Sequence, residues 1–193
     1  MDTYYTTGLC TVVVNEQSSS LLRDDGLVLI PVSSSELTGF ANGKRVLVTY
    51  NVIKGSASNA ISSVQIKIFD IQTIPVLDIL ERKELSYSIQ DPVWVLSKPW
   101  ISGGYLNIEF GFGHSSLQIE HTVHLVYERI EIENGKKVVY MTFGHNAKSD
   151  PTKTVSPAFV SFRMQSKRDV LEADSMIIYV HEGIKWVTYN ISI

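Results

Sequence analysis

The residues of this sequence best suited to chemistry are its five histidines: His114, His121, His124, His145 and His181. On a helix, the spacing of His121 and His124 would put both imidazoles on one face, as in many zinc sites. The surrounding run, Leu117 to Leu125, instead has apolar residues at every second position, which indicates a strand. On a strand these two histidines face opposite ways, so no metal site is assigned. We expect His121 to be half-buried and hydrogen-bonded on the apolar face.

Three histidines fall at the ends of predicted strands. His114 and His181 end strands, and His145 opens a long loop. If the fold brought these imidazoles together, they would suit a hydrolase or a metal-dependent enzyme, an alternative that the sequence leaves open. Isolated polar residues at strand ends are the simpler interpretation. The sequence contains no G-x-S-x-G, H-E-x-x-H or P-loop motif, so no catalytic residue and no cofactor are assigned.

The segment PWISGGYLNIEFGFGH, residues 99–114, is the most distinctive stretch. Apolar residues at even positions, from Leu106 to Phe112, alternate with Tyr105 and the other odd positions. We therefore predict a mainly architectural strand with its even side chains in a core. The outward face has residues that can bind a sugar, although ordinary solvated faces look the same. The ligand-binding candidates are Trp100, Tyr105, Asn107, Glu109, His114, His145 and Asn146.

Composition narrows the class of protein. The net charge is −3, and no run of Lys or Arg provides a basic face, which argues against nucleic acid as a partner. The single cysteine, Cys10, cannot form an internal disulfide, and its apolar neighbours predict a buried structural thiol. No apolar segment approaches the roughly 20 residues of a membrane span. No export signal is recognisable, which fits a cytosolic protein or a chain whose signal was removed.

Period-two runs punctuated by turns predict an all-β protein. Five runs precede residue 80, grouped as three, a loop and two, which matches a five-stranded OB-like barrel. A loop replaces the helix that often separates the third and fourth strands of such barrels. Residues 81–92 are charged and irregular, and we interpret them as a linker. The predicted domains are therefore a barrel at 2–80, the linker, and a second domain at 93–193.

The second domain contains seven further candidate strands in about 100 residues, which favours an antiparallel β-sandwich. Asn134-Gly135 is the strongest hairpin signal in the chain. The seven predicted strands are approximately 93–97, 105–112, 117–130, 137–143, 158–164, 175–181 and 185–191.

The sequence resembles the NigD-like proteins, small envelope lipoproteins of Gram-negative gut anaerobes. The segment WISGGYLNIEFGF resembles their hallmark motif, and weaker matches extend the resemblance over nearly the whole chain. The resemblance implies an N-terminal OB barrel, a C-terminal β-sandwich and a lipoprotein precursor. It carries no catalytic residues. The weaker matches are GKRVLVTYNVIKG, HTVHLV, VYMTFGHNAKSD and AFVSFRM.

The leading functional hypothesis is a non-enzymatic cell-envelope protein that binds or scaffolds a partner. The expected partner is a glycan or an envelope protein, and the expected location is the periplasm or the outer-membrane surface. Membrane association would require a lipid anchor, which is absent from this chain. The alternatives are the histidine-dependent enzyme described above and a bacteriocin-associated factor, an idea that rests on the family name.

Overall fold

The structure is a computed structural model that describes residues 5–16, 18–53 and 62–193. The chain divides into two compact units, Met1–Pro75 and Val76–Ile193, and each is described here by itself. Both units are built from strands, which confirms the all-β class. Among the described residues, no helix has the length and apolar content needed to cross a membrane.

The first unit is a closed five-stranded barrel. The strands run in the order β1-β2-β3-β5-β4, and β4 pairs again with β1. All neighbours are antiparallel except β3 and β5, which are parallel. This confirms the predicted OB-like barrel. The strands are β1 (Thr6–Val14), β2 (Ser19–Arg23), β3 (Val28–Pro31), β4 (Arg45–Val52) and β5 (Ser63–Thr73).

Alternation along the strands fills the barrel. Inward-facing side chains such as Val12, Leu21 and Val48 are fully buried in one apolar cluster. Cys10 belongs to this cluster, and burial raises the pKa of its thiol to about 12, so it is an inert packing residue. Between β3 and β4 the chain makes only a short 3-10 turn, Ser34–Leu37, whose Leu37 is buried in the same cluster.

The second unit is a ten-stranded sheet folded into two facing layers. One layer contains β10 and β13, and the other contains β11, β12, β14 and β15. The strands are β6 (Val76–Asp78), β7 (Leu80–Glu81), β8 (Val93–Val95), β9 (Trp100–Ser102), β10 (Tyr105–His114), β11 (Thr122–Glu133), β12 (Lys136–Asn146), β13 (Thr154–Arg163), β14 (Ser175–Glu182) and β15 (Lys185–Ser192); one short helix, α1 (Arg168–Leu171), precedes β14.

Two connections join the layers at their edges. On one side β6 pairs with β13 and β7 pairs with β11, so the segment 76–81 crosses from layer to layer. On the other side β8 pairs with β10 and touches β14 through one bridge. Between the layers lies an apolar core in which the ring of Phe143 lies 5.2 Å from that of Phe110 and 6.1 Å from that of Phe162.

The structure differs from the sequence-based description in three details. Besides the seven predicted strands, the sheet contains three short ones, β6, β7 and β9. The long β12–β14 pairing is parallel, a property of the pairing that neither strand's own alternation reveals. The predicted linker, 81–92, and the boundary at residue 80 lie inside the second unit, because β6, β7 and the buried Ile89 join its sheet and interior.

Candidate functional site

One end of the core of the second unit is polar. The inward-facing positions of β10 end in Phe112 and His114. The ring of Phe112 lies against three imidazoles, at 5.4 Å from His114, 5.1 Å from His121 and 6.2 Å from His145, measured between ring centroids. Asp150 contacts the same group through His121. We call His114, His121, His145 and Asp150 the histidine cluster.

Two cluster residues occupy different elements from those predicted. His145 lies within β12, which continues to Asn146, instead of opening a loop. His121 precedes β11, because residues 116–119 form a turn and the strand begins only at Thr122. The predicted strand start at Leu117 was therefore wrong, although His121 does point inward and is hydrogen-bonded as expected.

A hydrogen-bonded chain links three of the cluster residues. His121 Nε2 lies 3.1 Å from Asp150 Oδ2, and His121 Nδ1 lies 2.9 Å from His145 Nε2. Hydrogen bonds from the hydroxyl and the backbone N–H of Ser115 hold the pKa of Asp150 at about 2. Since an ionised carboxylate only accepts, His121 Nε2 carries the proton and donates to it. The other nitrogen of His121, Nδ1, shares a hydrogen bond with His145 Nε2.

The far end of this chain is unsatisfied. Burial lowers the pKa of His145, and the neighbouring His121 lowers it further, so His145 is neutral at pH 7. Its Nδ1 is buried and has no hydrogen-bond partner among the described residues. His114 shows the same pattern, with Nε2 2.8 Å from Ser156 Oγ and a buried Nδ1 without a partner in the described part of the chain. Leaving a buried ring nitrogen without a partner costs less when the imidazole is neutral, as that of His145 is.

The residues around the histidine cluster include a serine, histidines and an aspartate, the residue types of a catalytic triad, but they are not arranged as one. The Ser156–His114 pair has hydroxyl and imidazole at 2.8 Å, but the hydrogen bonds of the described residues place no carboxylate on that histidine. The histidine oriented by Asp150 is His121, and its other nitrogen meets His145 instead of a hydroxyl. His145 is only 2% exposed, which leaves little access for a substrate.

The cluster does not have the geometry of a metal site. A metal needs several ligand lone pairs aimed at one point about 2 Å from each nitrogen. Here the facing nitrogens of His121 and His145 are used on each other, at a hydrogen-bonding distance of 2.9 Å. Within the described ranges, no three His, Cys, Asp or Glu side chains are arranged so that they could hold a metal ion.

His181, the third histidine of the enzyme alternative, faces another surface. Its Nδ1 donates to the backbone carbonyl of Gln90 at 2.6 Å, and its ring stacks on Trp186 with 5.2 Å between centroids. The outer face of β12, β14 and β15 carries two more rings, Tyr140 and Tyr179, stacked at 6.2 Å and 17°. We call Tyr140, Tyr179, His181 and Trp186 the aromatic row.

Sequence reasoning missed the aromatic row, although part of its signal was present. Tyr179 and His181 are two residues apart on β14, so they share a face, and β15 places Trp186 directly across from His181. The antiparallel register between these strands could be deduced from the short turn at Gly183. The position of Tyr140 beside them depends on the parallel β12–β14 pairing, which no local sequence pattern predicts.

The candidates on β9 and β10 are bonded within the sheet. Asn107 is buried, with Nδ2 2.9 Å from Ser102 Oγ and Oδ1 accepting from Ser161 Oγ at 2.8 Å. Glu109 accepts from Ser97 Oγ at 2.9 Å. The outward position predicted for Asn107 is thus covered, because β9 packs alongside it.

Other candidates on this segment and on β12 are partly accessible. Trp100, opposite Asn107, and Tyr105 are both half-buried. Asn146 caps the turn after β12, where its Oδ1 accepts from the backbone N–H of Lys148 at 2.7 Å. Tyr105 begins β10 and Trp100 pairs near that beginning, so both lie at the other end of this strand from His114.

The two-layer unit matches a known domain. The family described as the NigD-like C-terminal beta sandwich domain matches residues 75–192. The chain belongs to the NigD-like family. This confirms the resemblance carried by the tryptophan, glycine and tyrosine segment of β9 and β10. Among curated proteins, none matches the NigD-like chain.

Several solved structures share the fold of this NigD-like chain. A protein of unknown function from Bacteroides vulgatus has a TM-score of 0.78 at 20% identity, covering 98% of this chain and 91% of its own. A candidate lipoprotein from Bacteroides fragilis has a TM-score of 0.74 at 14% identity and covers 98% of both chains. A NigD-like immunity protein from Bacteroides caccae has a TM-score of 0.69 at 16% identity, covering 97% of this chain and 92% of its own. These identities show a common fold alone.

Proposed function

We propose that this NigD-like chain is a non-enzymatic cell-envelope protein that binds a glycan on the aromatic row. The observation that carries the proposal is an accessible set of stacked rings on the outer face of a rigid sheet. Trp186 is 49% exposed, and Tyr179 and His181 are half-buried on the same face. Flat rings of this kind offer apolar area to the C–H faces of a sugar at low cost in side-chain entropy.

The groups around the rings suit sugar hydroxyls. His181 Nδ1 donates to the Gln90 carbonyl, which leaves its Nε2 as the ring nitrogen for a ligand. Thr188 lies opposite Tyr179 and Asn190 opposite Ile177, both exposed beside the row. Donors and acceptors beside stacked rings are the usual composition of a site that fixes the orientation of a polar ligand.

Tyr140 supports the row instead of contacting the ligand. The guanidinium of Arg129 lies 3.9 Å from the centroid of its ring, and its hydroxyl donates to Glu133. Tyr140 is consequently 7% exposed. Its stacking against Tyr179 holds that ring in place, which reduces the entropy lost on binding.

The envelope location is part of the proposal. It is supported by the fold shared with a candidate lipoprotein from Bacteroides fragilis and by membership of the NigD-like family. A precursor carrying a lipoprotein signal would place the two units outside the inner membrane, where glycans are available. Localisation is tested by expressing the gene with its native upstream codons and probing membrane fractions for a lipidated product.

The binding proposal is tested with a glycan array and with two matched variants. Trp186→Ala removes the most exposed ring of the row and should weaken binding of the selected glycan at least about tenfold, or ~1.4 kcal/mol. Phe69→Ala is the control, because Phe69 is a similarly exposed aromatic residue on the barrel, 45% accessible. Retention of no glycan by the unmodified protein, or equal affinities of the two variants, would contradict the proposal.

A second candidate function is an immunity or other bacteriocin-associated role. It is supported by the shared fold with the NigD-like immunity protein of Bacteroides caccae. An immunity protein should protect a sensitive strain that expresses it, and a bacteriocin should inhibit growth when the purified protein is added. Growth assays of both kinds separate this role from glycan binding. If the aromatic row binds a glycan, Trp186→Ala should weaken glycan binding but change neither protection nor growth inhibition.

A further inference from the structure

The outer edge of β15 is a long strand edge without a partner strand. β15 pairs with β14 over all eight residues from Lys185 to Ser192 in an unbroken register. Among the described residues, no second strand pairs with it. The other terminal strands of this sheet, β6 and β7, have three and two residues. Because β7 bonds only two residues of β11 and β6 only three residues of β13, those strands also have unpaired stretches, but β15 is free along its whole length within the described ranges.

The direction of its backbone groups follows from one hydrogen bond. The backbone N–H of Ile193 donates to the carbonyl of Asp174 at 3.2 Å. Because antiparallel pairs alternate between bonded and non-bonded, the odd-numbered residues of β15 face β14. The N–H and C=O groups of the even-numbered residues point away from it. These outward residues are Trp186, Thr188, Asn190 and Ser192, and all four are exposed.

This edge lacks the devices that normally prevent strand addition. Proteins protect long edges with proline, bulges, inward-pointing charges or several lysines. β15 contains no proline, its register shows no shift, and its one charged residue is Lys185 at its start. An unprotected edge of this length is suited to pair with another strand.

We propose that the β15 edges of two copies of this chain pair antiparallel around a two-fold axis at Tyr189. In this register Trp186 lies opposite Ser192 of the second copy, and Thr188 lies opposite Asn190 of the second copy. The two-fold symmetry repeats both pairs. The backbone N–H and C=O groups of all four outward residues on each chain are then hydrogen-bonded, with about eight bonds in the dimer. A two-fold interface uses the same patch on both subunits, which this pairing does.

The side chains favour a second copy over an unrelated strand. Thr188 and Asn190 can hydrogen-bond to each other across the pair, and the exposed ring of Trp186 packs beside a small serine. Lys185 falls opposite Ile193 of the second copy, so no like charges face each other. Pairing of the two β15 edges would join the sheets of the two copies into one continuous sheet. This dimer does not depend on whether the aromatic row binds a glycan.

Sedimentation velocity over about a hundredfold range of concentration tests the pairing. The unmodified chain should convert from monomer to dimer. Thr188→Pro removes an outward N–H and should leave a monomer, because the β14 ladder does not use that group. Thr188→Ala is the control and should still form the dimer. A monomer at every concentration, or a dimer that survives Thr188→Pro in folded protein, would overturn the proposal.

A second variant and a second measurement keep the proposal testable if Thr188→Pro fails to fold. The double variant Thr188→Asp with Asn190→Asp places carboxylates opposite each other in both central pairs and should weaken the dimer about tenfold. Hydrogen exchange adds the site-specific readout. On dimerisation, the amides of Thr188 and Asn190 should gain protection, whereas those of Tyr189 and Ile191 should already be protected in the monomer. A dimer without this alternating pattern uses another surface.

Discussion

Phe110 shows how a single residue of β10 contributes to the core. It is 4% exposed and packs its ring edge-on against Phe143, 5.2 Å away across the two layers. Its neighbour Glu109 points the other way, onto Ser97. Adjacent residues of one strand should therefore contribute very different amounts to the free energy of unfolding.

Truncating Phe110 to Ala should lower the free energy of unfolding by about 3–5 kcal/mol, since it removes buried apolar area and leaves a cavity. Glu109→Ala loses one partly exposed hydrogen bond and should cost about 1 kcal/mol. Urea unfolding followed by tryptophan fluorescence measures both values. Equal losses in the two variants would mean that the packing of Phe110 does not dominate this strand.

Protonation of His145 should destabilise the fold. The pKa of His145 is lowered in the folded state by burial and by His121, whereas the unfolded value is about 6.5. The unfolded chain therefore binds more protons as the pH falls below about 6.5, and stability decreases there while remaining flat above it. Asp150, with a folded pKa of about 2, adds its own loss only at more acidic pH.

The pH dependence is measured as urea midpoints between about pH 8 and pH 5, a window above the titration of Asp150. The variant His145→Gln removes one titrating ring and should reduce the slope of the profile, even though it lowers stability overall; the slope that remains is the contribution of His124, whose pKa is also lowered by burial. His181→Gln is the control, since His181 lies outside the cluster on the outer face. A profile unchanged by His145→Gln would show that another group is responsible.

At the scale of elements, the docking of residues 86–92 onto β12 depends on one glycine. The N–H of His145 donates to the Ile89 carbonyl at 3.0 Å, and the N–H of Asp91 donates to the His145 carbonyl at 3.1 Å. At the residue before His145, a Cβ added at Gly144 would lie 2.3 Å from Ile89 Cδ1 and 2.7 Å from Ile89 Cβ. Only glycine lets the segment approach the strand so closely.

Gly144→Ala should therefore force the segment away from β12 and cost about 1–3 kcal/mol through overpacking. Gly8→Ala is a matched control on β1, where the added Cβ meets Arg23 Cδ at 3.1 Å, part of a flexible side chain that can move. Thermal melting compares the two variants. If Gly144→Ala is as stable as Gly8→Ala, the docked position of Ile89 is not required for the fold.

At the scale of the whole molecule, each unit has its own core. The barrel cluster contains buried residues from Cys10 to Ile66, and the sandwich cluster contains buried residues from Ile79 to Ile191. Among the described residues, neither cluster contains a side chain of the other unit. A core of its own is the physical condition for a domain that folds alone.

We therefore expect residues 76–193 to fold when expressed separately, and the intact chain to unfold in two calorimetric transitions. The fragment should retain the near-ultraviolet circular dichroism of the second unit, because its aromatic contacts are internal. One transition with equal calorimetric and van't Hoff enthalpies would indicate that the two units unfold cooperatively as one. A fragment beginning at residue 93 should be less stable, since it lacks β6, β7 and Ile89.

The sequence by itself determined the strands and their faces. Alternation with period two is a local property, so the five barrel strands and seven strands of the second unit were predictable, as was the buried face of Leu106, Ile108 and Phe110. Turn residues act locally too. Asn134 and Gly135 both have positive φ, at 50° and 79°, as the predicted hairpin requires. The motif that indicated the NigD-like family is likewise a contiguous segment.

Only the tertiary structure decided which side chains meet. His114, His121 and His145 converge because β10 lies in one layer and β11 and β12 lie in the other, and no local pattern specifies how layers face each other. Asp150 joins them from a loop. The parallel β12–β14 register and the short strands β6, β7 and β9 also depend on contacts distant in sequence. Period and turn chemistry are encoded within a few residues, whereas convergence is set by the packing of the whole core.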